Sequence, residues 1–258
     1  MRWIEAAAAV AIGMAAVRAG TRESPAASQS QPSSSPQAPQ LPQAPAAPPS
    51  VPAPMTPPQV QPPRFVVVVD AAHGGTDTGA RIGNGVLEKE ITLGLAGRLR
   101  STLRARGIEV AQTRTGDVNL GPADRAEMAN HAQAAACLTI HATATGSGVH
   151  LFTSSLTPTA NARFLPWGTA QSAYVTQSLK LESEIDSALA HAAIPVSLGR
   201  ASVQPMDSMT CAEVAVEIAP LVGGHVTSAK PVTDVSYQKQ VVDAVAAALE
   251  QWRSDWRQ

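Results

Sequence analysis

From residue 64 onward, short unbroken runs of apolar residues alternate with longer stretches in which apolar residues recur at helical spacing. The first run, FVVVV at Phe65–Val69, lies between a proline pair and a glycine pair, which is typical of a strand covered on both faces. Further strands are predicted at 108–113, 137–141, 148–153 and 211–219.

Helices are predicted between these strands. Apolar residues at helical spacing follow Glu88 and end near Gly107. The other helices are predicted at 119–131, 170–192 and 237–252. The alternation of strand and helix predicts an α/β domain with a mostly parallel sheet.

The first twenty residues differ from the rest of the chain. They combine Arg2 with an uncharged apolar run at Ala6–Val17 and small residues around Ala19. The run is shorter than the ~20 residues of a membrane span. We interpret residues 1–20 as a degenerate secretory signal peptide or a short anchor, which predicts export to the periplasm or cell envelope. An anchor would also tether the chain to the membrane, and a disordered or marginally helical terminus is the alternative.

Residues 21–63 consist mainly of Pro, Ala, Ser and Gln. Such a composition buries too little apolar surface to offset chain ordering, so a disordered linker is predicted. It would act either as a long tether or as a passive spacer. The folded domain is therefore predicted at 64–258.

Composition narrows the choice of partners. The 258 residues are 44% hydrophobic but only 3% aromatic, which allows one core of mainly aliphatic side chains. The net charge of −1 gives no basis for electrostatic binding to nucleic acid. We expect a monomer that acts on a neutral or weakly charged substrate.

Candidate metal ligands lie where the predicted strands end. His73 follows the first strand, and His141 ends the strand at 137–141. Because parallel strands point the same way, both histidines are expected at the same edge of the sheet. Glu88 precedes a helix and adds a carboxylate. Two imidazoles and a carboxylate are a ligand set typical of Zn²⁺.

The last predicted strand contains two glutamates. Glu217 lies near its carboxyl end, between Val216 and Ile218, where a buried carboxylate is costly unless it is paired, metal-bound or protonated. Glu217 is therefore expected to join the two histidines. Glu213 lies at the amino end of the strand and is expected to be solvated or ion-paired. The irregular region at 157–167 is predicted to form a rim of the site.

Other polar residues receive simpler interpretations. Asp70 is expected either to orient a ligand or to cap the backbone of the loop. The remaining histidines have no predicted convergent partner and are interpreted as structural or solvated. They are His131, His150, His191 and His225.

The two cysteines, Cys137 and Cys211, both begin predicted strands. A disulfide is geometrically possible if those strands are neighbours in an oxidising compartment. Buried free thiols are the commoner state and are expected here.

Several segments together resemble one known family. In order they read VVVVDAAHGG, GNGVLEKEITLGLAGRL, RAEMAN, LTIHATA and AEVAVEIAP. In this order and spacing they resemble the zinc-dependent N-acetylmuramoyl-L-alanine amidases of bacterial cell walls. The resemblance extends from Arg64 to the C-terminus.

The resemblance implies a fold, a ligand set and a reaction. The fold is a single α/β domain with a twisted mixed sheet between helices. The zinc ligands of the family fall on His73, Glu88 and His141, and its catalytic glutamate falls on Glu217. The implied reaction is hydrolysis of the amide between N-acetylmuramic acid and L-alanine in peptidoglycan, for cell-wall remodelling or daughter-cell separation.

The chain also departs from the family pattern. Ala71 and Ala72 replace the usual Pro-Gly, Thr143 replaces an Asn, and Ala-Pro-Leu at 219–221 replaces a Gly-Phe followed by Ser-Asn. These departures keep the ligands and the base but alter the loops around them. Two other functions therefore stay open: a non-catalytic peptidoglycan-binding module with this fold, and a zinc hydrolase acting on another amide.

Overall fold

The computed structural model describes residues 64–83, 85–160, 164–222 and 229–256. The predictions for 1–20, for 21–63 and for His225 lie outside these ranges. Within the described ranges, no helix is both long enough and apolar enough to cross a membrane.

The strands form one large sheet and a small hairpin. In chain order they are β1 (Val66–Ala71), β2 (Arg81–Ile82), β3 (Val86–Leu87), β4 (Glu109–Gln112), β5 (Ala136–Ala142), β6 (Val149–Ser154), β7 (Val196–Ala201) and β8 (Ala212–Ile218). The helices are α1 (Glu88–Ala105), α2 (Pro122–His131), α3 (Val175–His191) and α4 (Val235–Trp256), with 3-10 helices at Trp167–Ala173 and Met206–Ser208. The predicted single α/β domain is confirmed.

The large sheet is mixed, in the order β4-β1-β5-β8-β6-β7. Strands β4, β1, β5 and β8 are parallel, whereas β6 pairs antiparallel with β8 and parallel with β7. The carboxyl ends of β1, β5 and β8 therefore meet the amino end of β6 at one edge of the sheet.

The two faces of the sheet carry different residues. Alternate residues of a strand point to opposite faces. One set, which includes Val67, Leu138 and Val214, packs with residues of α1, α3 and α4 in the main core. The other set faces α2 and contributes Val68 and Cys137 to a smaller apolar cluster.

Cys137 and Cys211 form a disulfide, so the expectation of free thiols is wrong. Cys211 directly precedes β8, and the register of β5 and β8 pairs Ala136 with Ala212. Cys137 itself is paired with Glu213, so the two cysteines are diagonal neighbours offset by two residues. Their Cα atoms are 6.0 Å apart, within the ordinary disulfide range. The bridge joins two central strands at their amino ends.

Some elements differ from the predictions. The edge strand β7 was not predicted, because most of its residues are exposed or half-buried and carry no apolar alternation. The helix predicted at 170–192 is divided into the 3-10 helix Trp167–Ala173 and α3. The segment after β6 leaves the sheet at the edge opposite His141, because β6 runs antiparallel to β8. The prediction that 157–167 forms a rim of the site is therefore wrong for its described residues, 157–160 and 164–167.

Candidate metal centre

Two imidazole rings and a carboxylate meet at the carboxyl edge of the sheet. Glu88 lies between the histidines, with Oε2 3.2 Å from His73 Nε2 and Oε1 2.9 Å from His141 Nδ1. One candidate ligand atom from each residue lies within 4.8 Å of the others. The structure thus brings together the three residues that the sequence singles out as zinc ligands.

Glu88 is charged although it is buried, with a relative exposure of 4%. Burial acts to raise its pKa, but hydrogen bonds from His141 and His73 outweigh burial and hold the pKa well below its usual range. The backbone N–H groups of Ala80 and Ala142 donate to its two oxygens at 2.9 Å and 3.1 Å. The first residue of α1 therefore presents a fixed anion to the two imidazoles.

The ring of His73 is oriented by a second carboxylate. His73 Nδ1 donates to Asp77 Oδ2 at 2.9 Å, which leaves Nε2 facing Glu88. The hydrogen bond to Glu88 is the largest influence on His73 and raises its pKa against the effect of burial. Asp77 was not predicted from the sequence, although a carboxylate four residues after a histidine in one glycine-rich loop was an available signal.

The backbone passes very close to this pair at Gly79. A Cβ at this position would lie 2.6 Å from Glu88 Oε2 and 2.7 Å from His73 Cδ2. Gly79 also has a φ of +62°, a conformation that other residues rarely adopt. The approach of the loop to Glu88 therefore depends on the absence of a side chain at residue 79.

Two buried arginines hold the loop that carries His73. Arg125 donates to Asp70 Oδ1 at 2.6 Å and to the carbonyl oxygen of His73 at 2.7 Å. Arg114 donates to the carbonyl oxygens of Ala71 and Ala72 at 2.8 Å and 3.0 Å. Asp70 therefore acts on His73 through Arg125. In the sequence, Arg125 stands out only as part of the RAEMAN segment, and the pattern predicts no role for it.

Glu217 lies beside the candidate ligands. It is the register partner of His141 on the neighbouring strand, and neighbouring strands are about 4.8 Å apart. Its side chain is 31% exposed. The expectation of a carboxylate buried among Val216 and Ile218 is wrong, because those side chains point to the opposite face of the sheet.

Glu213 is the buried glutamate of β8, with a relative exposure of 0%. The expectation of a solvated or ion-paired residue is wrong, because α2 and the disulfide cover this end of the sheet face. Burial raises the pKa of Glu213 to about 8, although Thr139 Oγ1 donates to its Oε1 at 2.7 Å. Glu213 is therefore mostly protonated at neutral pH.

The other histidines divide into two kinds. His131 and His191 are exposed on helices, as predicted. The sequence also predicts a structural or solvated His150, but its Nδ1 lies 2.7 Å from Glu217 Oε2. That interpretation is wrong, because the antiparallel direction of β6 places His150 opposite Glu217. His150 thus belongs to the neighbourhood of the candidate metal centre.

The donor set suits a catalytic zinc ion. Imidazole nitrogen and carboxylate oxygen are common zinc ligands, and catalytic zinc sites combine three protein ligands with an open position. Among the described residues, the candidate group at this edge consists of His73, Glu88 and His141. The carboxylate of Glu88 is already charged. The second ring nitrogen of His73, Nδ1, donates to Asp77, and metal-binding histidines commonly make such a hydrogen bond to a carboxylate.

These features define an α/β domain with a candidate metal centre at the carboxyl edge of its sheet. The Amidase_3 family model, described as N-acetylmuramoyl-L-alanine amidase, matches residues 67–251. The chain belongs to this family.

Individual relatives match shorter stretches. The N-acetylmuramoyl-L-alanine amidase AmiA of Escherichia coli (strain K12) is 46% identical over 77 residues, which make up 30% of this chain and 27% of that protein. The N-acetylmuramoyl-L-alanine amidase LytC of Bacillus subtilis (strain 168) is 41% identical over 81 residues, 31% of this chain and 16% of that protein. The matched stretches thus span about a quarter or less of these relatives.

Solved structures share the fold over a longer range. The catalytic domain of CwlV, an N-acetylmuramoyl-L-alanine amidase from Bacillus (Paenibacillus) polymyxa var. colistinus, aligns with a TM-score of 0.57 and 21% identity, covering 74% of this chain and 98% of that one. Ami1 from Mycobacterium smegmatis aligns with a TM-score of 0.58 and 20% identity, covering 74% and 97%. At this identity the likeness shows the fold.

Proposed function

We propose that this chain is a zinc-dependent hydrolase that cleaves the amide between N-acetylmuramic acid and L-alanine in peptidoglycan. The observation that carries the proposal is the convergence of His73, Glu88 and His141 within 4.8 Å. Glu217 lies beside them on the next strand. Membership of a family described as N-acetylmuramoyl-L-alanine amidase supports the choice of substrate.

His73, Glu88 and His141 would hold the zinc ion. Bound there, zinc would supply Lewis-acid chemistry that polarises the scissile carbonyl and makes a water molecule more acidic. Asp77 and Arg125 fix the ring and the backbone of His73, so the ligand set is ordered before substrate binds.

Glu217 acts as the general base. It accepts a proton from the attacking water, whose oxygen adds to the carbonyl carbon of the amide, and it delivers that proton to the departing amine of L-alanine. Its partial exposure is consistent with this role, because the carboxylate must reach water and substrate. The products are a free lactyl carboxylate on the sugar and a new amino terminus on the stem peptide.

The proposal extends to the organisation of the chain. Residues 1–20 would direct export or anchor the chain, residues 21–63 would act as a spacer, and 64–258 would form the catalytic domain. The site of action would then be the periplasm or cell envelope, where peptidoglycan lies.

The experiment is hydrolysis of purified peptidoglycan by the full chain, with release of L-alanine amino termini as the readout. We expect release that a chelator abolishes and added zinc restores. Binding to peptidoglycan without release would favour a non-catalytic wall-binding module. Chelator-sensitive hydrolysis of other amides, with intact peptidoglycan left uncut, would favour a zinc hydrolase of different specificity.

A further inference from the structure

His150 and Glu217 form a close pair on adjacent strands. They are register partners in the antiparallel pair of β6 and β8. His150 Nδ1 lies 2.7 Å from Glu217 Oε2, and because a carboxylate only accepts hydrogen bonds, Nδ1–H is the donor. The side chains are 19% and 31% exposed, so water only partly competes with the contact.

The two oxygens of Glu217 have different surroundings. Oε2 accepts a hydrogen bond from His150, whereas Oε1 accepts no hydrogen bond from any residue in the described part of the chain. One oxygen is thereby fixed, and the other is left for water or substrate. A base whose orientation is set by a third group is the usual arrangement in general base catalysis.

The imidazole ring has little freedom to turn away. Gly146 has a φ of +87°, and a Cβ at this position would lie 2.4 Å from His150 Cε1 and 2.6 Å from Nε2. The backbone therefore closes one side of the ring. The start of β6 is itself held to the end of β8, because Ala219 N donates to the carbonyl oxygen of Gly148 at 2.9 Å.

We propose that His150 is a positioning residue for Glu217, holding Oε2 so that Oε1 faces the reacting water. This inference rests on the proposed function, in which Glu217 is the general base. His150 itself would touch neither the metal nor the scissile amide, and its effect on turnover would pass entirely through Glu217. Loss of the imidazole should therefore slow the chemical step and leave substrate binding unchanged.

The test compares variants of the full chain on a soluble muropeptide containing N-acetylmuramoyl-L-alanine, so that kcat and KM can be separated. For His150→Ala we expect kcat to fall about 10- to 100-fold, the usual cost of losing an orienting partner, with KM and zinc content unchanged. His150→Asn places an amide N–H near the position of Nδ1 and should recover much of the loss. His191→Ala removes an exposed histidine and serves as the matched control.

A double-mutant cycle tests whether the effect passes through Glu217. We expect His150→Ala to cost nothing further in a Glu217→Gln background, because groups that act as a unit are not additive. If Glu217→Gln is inactive while His150→Ala keeps the parental kcat, the positioning role is overturned and the proposed base stands. An additive double variant, or an Asn variant no better than Ala, also overturns it. If Glu217→Gln keeps parental activity, the assignment of the base fails, and the positioning role fails with it.

Discussion

The carboxyl group of Glu213 accepts a hydrogen bond from the hydroxyl group of Thr139 at 2.7 Å in a part of the sheet that excludes solvent. The second oxygen of Glu213 has no partner within the described residues. One hydrogen bond does not compensate a buried negative charge, so burial raises the pKa from its ordinary value of 4.5 to about 8.

Replacement of Glu213 by Gln should flatten the pH dependence of stability. Between pH 4.5 and about 8, folded Glu213 keeps a proton that the unfolded chain releases. Because the folded state binds more protons, stability falls as pH rises through this window, by up to about 1.4 kcal/mol per pH unit, and levels off above it. Gln at this position has no proton to lose.

Urea unfolding of both proteins across this pH range gives the measurement. Glu182 is also buried, with its pKa raised to about 7, so the difference between the two stability curves isolates Glu213. The two proteins should be most alike near pH 4, and the variant should gain on the parent as pH rises. A difference that stays constant with pH would contradict a buried, protonated Glu213.

The two glutamates of β8 illustrate what the sequence could and could not predict. The position of Glu217 at a carboxyl strand end was enough to place it near His141, because parallel strands fix that edge. Burial could not be predicted in the same way. It depends on α2 and the disulfide, which cover Glu213 and leave Glu217 open, and these contacts come from parts of the chain far apart in sequence.

The histidines also differ in how far the sequence predicts their positions. His73 follows β1 and His141 lies near the carboxyl end of β5, so strand order and direction are sufficient to bring them together. His150 is the second residue of β6, whose antiparallel pairing with β8 has no signature in the apolar pattern. If β6 were parallel to β8, its start would lie at the edge of the sheet opposite His141. Only the pairing in the structure places His150 beside Glu217.

Removal of the disulfide should lower stability substantially. Cys137 and Cys211 are separated by 74 residues in sequence. Closing a loop of this length lowers the conformational entropy of the unfolded chain, which stabilises the folded state by about 4 kcal/mol. Chemical denaturation with and without reductant should show this loss for the parent. A Cys137→Ala, Cys211→Ala variant should be less stable and insensitive to reductant. Quantitative thiol labelling of the unfolded parent without reductant would contradict the bridge.

Deletion of residues 1–61 should leave the stability of the folded domain unchanged. The composition of 21–63 offers little apolar surface to bury, and the family match begins at residue 67. A chain that begins at Pro62 retains Phe65, which packs edge-on against Trp256. Thermal melting of the long and short chains gives the comparison, and a lower melting temperature of many degrees for the short chain would show that the removed segment packs on the domain.

Loss of one candidate ligand should greatly weaken zinc binding. His141→Ala removes one of three protein donors, and we expect a loss larger than the roughly 10- to 100-fold that an outer partner costs. Asp77→Asn should show that smaller loss, because it weakens the group that orients His73. His191→Ala should bind zinc as the parent does.

Competition titration with a chelator ranks these affinities, and circular dichroism confirms that each variant is folded. Zinc affinity should be equal in the parent and in His191→Ala, lower in Asp77→Asn, and lowest in His141→Ala. Stoichiometric zinc retained by folded His141→Ala after dialysis against chelator would rule out the proposed ligand set.

Replacement of Glu217 by Gln should separate chemistry from binding. Gln keeps the size of the side chain and an oxygen that can accept from His150, but it cannot take up a proton. Turnover of peptidoglycan should therefore fall about 10²-fold or more, the usual contribution of general base catalysis. Zinc content and affinity for wall fragments should be unchanged, because Glu217 lies outside the candidate ligand set.

Glu127→Gln, at an exposed position on α2, is the matched control and should hydrolyse peptidoglycan at the parental rate. Parental turnover by Glu217→Gln would place the base elsewhere. In another outcome, the parent and Glu217→Gln bind peptidoglycan equally and neither releases L-alanine amino termini. The chain would then be a wall-binding module, in which the pairing of Glu217 with His150 serves the structure. The amide oxygen of the Glu217→Gln variant would still accept a hydrogen bond from His150, so its stability should then equal that of the parent, which thermal melting of the same two proteins measures.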